Sequence, residues 1–192
     1  MTHLLEKLLQ DSNQNLQFIQ SEVTKNPNHI LTWKEAESKW SVFDVVDHLN
    51  KVYELYLPNF KKAIENAPEL ANKGYEEGVQ RTIIGRLSIY AMKPKGSRRR
   101  FKMKTFDFFM PSYSDDSGSA LVDTFIENKN MFNGFIKDAR FKNLKGIKIP
   151  TALGEKMKFY IPECFEFILA HENRHLVQIK TILNKRSNGH HS

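Results

Sequence analysis

The chain has 192 residues, of which 40% are hydrophobic and 27% charged, ordinary proportions for one globular domain over 1–192 with a sizeable core. It holds no long apolar run of membrane-spanning length, and its start, MTHLLEKLLQDSNQ, carries acids but no apolar stretch, so neither a membrane helix nor a secretory signal is expected. A single cysteine, Cys164, excludes an internal disulfide and a cysteine-rich metal site, and a cytoplasmic location is the expectation.

The net charge of +7 is local. Seven of the 29 basic residues fall in the acid-free segment 93–104, KPKGSRRRFKMK, and the remaining 22 balance 22 acids. Its Pro and Gly read as a solvated basic loop rather than a nucleic-acid surface.

Residues 2–26 carry Leu4, Leu5, Leu8, Leu9, Leu16, Ile19 and Val23 at helical spacing, and Asn26-Pro27-Asn28 ends that first helix. A short connection holds Trp33 and Trp40, which are assigned to packing. Ser41 opens the second helix as N-cap, with Asp44 three residues on as an acidic capping box. Val42, Val45, Val46, Leu49, Val52, Tyr53 and Tyr56 form its stripe, and His48 stands within it. The helix is expected to pass Pro58 and close at Asn66-Ala67-Pro68.

Residues 68–118 read as a long insertion between the second and third helices. It contains a short helix within 80–92, the basic loop, an extended aromatic segment KTFDFFMP and a turn-rich linker SYSDDSGS. The third long helix spans about 119–139. Residues 144–160 alternate apolar pieces with Gly146, Pro150 and Gly154, which suits a small hairpin. The fourth long helix covers 161–183, with Pro162 in its first turn and Glu163 and Glu166 where the helix dipole favours acids. The tail NKRSNGHHS is polar, and His190 and His191 are read as adventitious. Four long amphipathic helices make this an all-α protein, a four-helix bundle.

Inside the last helix His171 and His175 are four residues apart and project from one side, on the face of Ile168, Ile179 and Ile182. One such histidine would be a hydrogen-bonded core residue; two at this spacing can reach a single ion. His48 in the second helix is the candidate third ligand. The sequence HENRH is also literally H-E-x-x-H, the zinc-protease motif. That reading fails: no acid follows His175 to complete a protease zinc site, and a bundle is the wrong frame. Glu172 is a candidate base or a partner to a ligand, with a surface position the simpler expectation. Asp44, one turn before His48, can orient its ring. Cys164, two turns from His171, is too far to share an ion and reads as core.

With WSVFDVVDHL in the second helix and AHENRHLVQIKTIL in the last, the chain resembles the DinB/YfiT-like superfamily of metal-binding four-helix bundles. The resemblance covers nearly the whole chain in architecture. It implies a divalent metal, zinc or nickel, held by His48, His171 and His175, and a homodimer. It further implies a metal-dependent enzyme acting on a small molecule, as a thiol-dependent S-transferase using a low-molecular-weight thiol or as a hydrolase. A non-catalytic, stress-related binding module with a structural or vestigial metal is the alternative. Arg98 to Arg100 would meet the carboxylates of such a thiol if the basic loop folds over the pocket.

Overall fold

Ser41 sets the start of the helix that organises the molecule. Its hydroxyl accepts from the Asp44 amide at 3.1 Å, while the Asp44 carboxylate accepts from the Ser41 amide at 2.7 Å. This reciprocal cap is the one expected from the sequence. In the structure, a computed structural model that describes residues 1–70, 78–96, 101, 105–113 and 118–188, the capped helix is α3, Val42–Glu65. It runs through Pro58, which lies on the exposed face of the helix.

Before it come α1, Thr2–Phe18, which continues into a π-helical turn over Ile19–Val23, and the short α2, Asn28–Leu31. After it come α4, Ile83–Met92, a 3-10 turn at Asp107–Phe109, and α5, Gly118–Ala139. The hairpin of β1, Lys148–Thr151, and β2, Gly154–Tyr160, then leads straight into α6, Ile161–Asn188. The strands are antiparallel, with Ile149 opposite Phe159 and a register shift between Pro150 and Thr151. Tyr56 on α3 accepts the Ala152 amide at 2.9 Å and so fixes the hairpin turn to the bundle.

The four long helices pack in the cyclic order α1, α5, α3, α6. Phe60, Phe132 and Phe165 bring α3, α5 and α6 together, with the Phe60 and Phe165 rings stacked at 4.5 Å. Such ring contacts add to simple area burial. None of the described helices is long and apolar enough to cross a membrane.

The all-α bundle expected from the sequence is what forms, and two details differ. First, α6 reaches Asn188 rather than Leu183. Second, KTFDFFMP is not one extended piece: Phe109 N–H donates to the Phe106 carbonyl at 2.9 Å and closes the 3-10 turn, burying Phe109 and leaving Phe106 and Phe108 exposed. The described part of the segment between α3 and α5 is also anchored to α6. Glu163 accepts from the Thr82 amide at 2.7 Å, and Arg81 Nε donates to Glu166 at 3.0 Å, so α4 lies against α6. Gly85 makes the approach possible, since a Cβ there would collide with the Glu163 carboxylate. The basic residues Arg98 to Arg100, Lys102 and Lys104, and His190 and His191, lie outside the described residues.

Candidate metal centre

The capped α3 carries His48 to a wall of a cavity of about 590 Å³, where it faces His171 and His175 of α6. The three Nε2 atoms converge. His171 Nε2 lies 3.2 Å from that of His48 and 3.1 Å from that of His175, and one ring nitrogen from each falls within 4.8 Å of the others. Two nitrogens each about 2.0–2.1 Å from a tetrahedral ion stand roughly 3.3–3.4 Å apart. The cluster therefore has the dimensions to hold a metal ion.

The hydrogen bonds behind the rings decide which nitrogens offer lone pairs. His48 Nδ1 is 2.9 Å from the Phe109 carbonyl oxygen, which can only accept, so Nδ1 carries the proton and Nε2 the lone pair. His175 Nδ1 stands 3.2 Å from Gln178 Oε1, with the same consequence. Both lone pairs are thus aimed at His171 Nε2. A proton there could satisfy one of them and not the other. His171 Nδ1 is itself buried with no hydrogen-bond partner among the described residues. A cation at the centre removes the conflict among the Nε2 lone pairs, so the donor set fits a divalent metal.

Protonation agrees with this. Burial pushes the His48 imidazole below its ordinary pKa, and pushes His171 and His175 well below it, aided by the neighbouring rings and by the Arg174 guanidinium. Neutral imidazole is the form that binds metal.

Aromatic side chains stand close to the rings. Trp40 lies nearly parallel to the His175 ring at 6.1 Å and tilts over His48 at 5.0 Å, so it closes one side of the cluster. Val52, Tyr56, Phe109 and Phe167 continue the lining. Trp40 had no sequence assignment beyond packing; it touches two of the three imidazoles. Gln178 could have been found, because it is seven residues after His171 and three after His175, on the same helix edge. The Phe109 contribution is a backbone carbonyl, for which a sequence has no signal.

The remaining candidates fall elsewhere. Asp44 does not orient His48; it caps α3 and pairs with Lys34 at 2.8 Å. Glu172 is not at the surface, and it does not line the cavity. It is 1% exposed, turned into the bundle, where Lys129 donates to both its oxygens at 2.7 and 2.8 Å and the Tyr53 hydroxyl donates to Oε2. Cys164 is buried, its thiol directed at the Phe159 carbonyl at 3.8 Å and raised in pKa by desolvation, in keeping with a core role.

A bundle that turns one imidazole from its second long helix and two from its last into a shared chamber defines a class of protein, the three-histidine helical bundles. The sequence comparison places it more narrowly. The family model described as the DinB superfamily matches residues 6–179, and the chain belongs to that superfamily. No curated protein matches the chain, and no solved structure does.

Proposed function

We propose that the chain is a metal-dependent enzyme acting on a small molecule at His48, His171 and His175, as a thiol-dependent S-transferase or as a hydrolase. The observation that carries this reading is the convergence of three Nε2 lone pairs on the wall of a cavity rather than inside a sealed core. A volume of about 590 Å³ suits a small-molecule site. Three neutral protein ligands leave coordination positions open, the pattern of catalytic rather than structural zinc sites. Zinc and nickel are the proposed ions, both suited to imidazole. Bound there, such an ion would supply Lewis acidity to a thiol, a water or a carbonyl oxygen. The chain's own contribution is orientation and exclusion of water. Phe109 and Gln178 fix two rings, and Trp40 and Phe109 cover the cluster with apolar surface.

A second reading has one observation in its favour. The histidines belong to α3 and α6, so an ion would also clamp two helices, as a structural metal in a binding module would.

Metal content separates these readings from a metal-free role. The parent should hold about one equivalent of zinc or nickel per chain, and His48→Ala/His171→Ala/His175→Ala should hold none. Zinc at 1,000 times its Kd should stabilise the parent by about 4 kcal/mol and the triple variant not at all. Thiol–electrophile pairs and simple esters and amides are then screened for turnover. Loss of turnover in His48→Ala with a folded bundle supports the enzyme; a lowered Tm with no turnover in any protein supports the clamp. A parent without metal after incubation with either ion sinks both.

A further inference from the structure

The Phe109 carbonyl that fixes His48 belongs to a single 3-10 turn, and a turn this short needs an outside hold to stay in register with α3. The Phe109 and Met110 amides close it internally, donating to the Phe106 and Asp107 carbonyls at 2.9 and 3.0 Å. Those bonds shape the turn without attaching it to the bundle. Burial holds it only in part. Phe106, Phe108 and Met110 are exposed, and Phe109 is the one apolar side chain of the four in the core.

The attachment comes from Asp47 and Lys51, four residues apart on one side of α3 with His48 between them in sequence. Lys51 Nζ donates to the Met110 carbonyl at 2.6 Å and to Ser112 Oγ at 2.7 Å, and it pairs with Asp47 at 3.2 Å. Its three ammonium protons therefore meet three acceptors. Asp47 Oδ2 in turn accepts the Ser112 amide at 2.8 Å. Pro111, between the two anchored residues, has its φ fixed by its ring, and Met110 before it is extended, with φ −64° and ψ 139°. Only the Met110 backbone separates the carbonyl that Lys51 holds from the carbonyl that meets His48. An i, i+4 ion pair on a helix surface contributes little by itself. Here Asp47 is buried, and both members reach off the helix to the same turn.

We propose that Asp47 and Lys51 are positioning residues of the histidine site. They hold residues 109–112 on α3, so that the Phe109 carbonyl keeps the His48 proton on Nδ1 and leaves the Nε2 lone pair facing His171. The hydrogen bond made by one ring nitrogen decides what the other can bind. The inference rests on the metal-site reading for its purpose, and it goes further by assigning the groups that set the lone pair of His48.

The His48 tautomer is read from imidazole nitrogen shifts in long-range proton–nitrogen spectra of metal-free protein at about pH 8, where imidazoles are neutral. In the parent, His48 should carry its proton on Nδ1. Lys51→Met and Asp47→Ala should each give a mixture of tautomers and bind zinc about tenfold more weakly, the loss typical when support behind a ligand is removed. Lys51→Arg keeps the charge and the donors and should restore most of both. An ion pair that merely stabilised α3 would move neither readout. A lowered Tm in Lys51→Met and Asp47→Ala with the parent's tautomer and zinc affinity therefore overturns the proposal. An Nε2 proton on His48 in the parent also overturns it. Should both variants unfold, Ser112→Ala removes one acceptor of Lys51 at an exposed position and should show a smaller change in the same direction; a parent-like tautomer there overturns the proposal. A parent that takes up no zinc sinks the metal reading separately, and the tautomer comparison still decides the role of Asp47 and Lys51.

Discussion

Glu172 turns into the bundle and meets Lys129 and Tyr53; His171, one residue earlier, turns into the cavity and meets His48 and His175. Both are polar groups shielded from bulk water, and their needs are met differently. The Glu172 carboxylate takes hydrogen bonds from an ammonium and a phenol, so acid, base and hydroxyl satisfy one another without outside help. Burial still leaves its mark, since the Lys129 ammonium is pushed below its usual pKa and the Tyr53 phenol well above it. The imidazoles bring lone pairs to one point and leave Nδ1 of His171 unmatched. One cluster is satisfied within the chain, whereas the converging Nε2 lone pairs of the other call for a cation.

The largest expected effect breaks the complete cluster. Lys129→Met leaves the Glu172 carboxylate buried with only the Tyr53 hydroxyl, and loss of one member of a buried ion pair costs about 3–5 kcal/mol. Lys129→Met/Glu172→Leu removes both charges and should recover most of that loss. Urea unfolding of the two variants measures the difference. A double variant as unstable as the single one would mean that the cluster contributes packing or hydrogen bonding that apolar side chains do not replace.

These clusters were unequally legible in the sequence. The two helices of the histidine site, and the i, i+4 pair, follow from spacing, and the Ser41 cap fixes where α3 starts. The Lys129 cluster was legible too, but in a pattern easy to pass over. Phe165, Glu172 and Ile179 are spaced by seven on α6, as are Val122, Lys129 and Ile136 on α5 and Val46, Tyr53 and Phe60 on α3. A glutamate and a lysine on the core stripes of neighbouring helices are a buried pair, because neither charge can stand there alone. The H-E-x-x-H string drew attention to chemistry for Glu172 when its stripe pointed to the core. The docking of α4 on α6, and the turn that brings the Phe109 carbonyl to His48, depend on contacts distant in sequence. No local pattern encodes them.

A second way to sharpen the contrast is pH, applied to metal-free protein. The unfolded imidazoles take up protons near their ordinary pKa of about 6.5. In the fold, burial holds His48 below that value and His171 and His175 well below it. Over the interval between the folded and unfolded values the unfolded chain binds more protons, so stability falls as pH falls. The slope reaches about 1.4 kcal/mol per pH unit for each histidine. Above about pH 7 these groups are neutral in both states and the slope from them vanishes. Urea midpoints in chelator from pH 7.5 down to 5.5 should decline steeply for the parent and less for the triple alanine variant. Parallel declines would show that other groups control acid stability.

The smallest expected effect is also the one that best separates the two clusters. Gln178→Leu removes the acceptor of the His175 Nδ1 proton without touching a candidate ligand. Groups that orient a metal-binding imidazole typically contribute tenfold or more to metal affinity, about 1.4 kcal/mol at the low end. Metal-free stability should change less than that, because Gln178 lies at the cavity edge and is only partly buried. Competition with a chromogenic chelator reads the affinity, and urea unfolding in chelator reads the stability. The expected outcome is a tenfold loss in the first with little change in the second, and recovery in Gln178→Glu, whose carboxylate is a stronger acceptor. This inverts the behaviour of Lys129→Met, where stability falls. Unchanged zinc affinity in Gln178→Leu would mean that the His175 ring is set by its stacking on Trp40, and Trp40→Ala would then be the variant that loosens the ion.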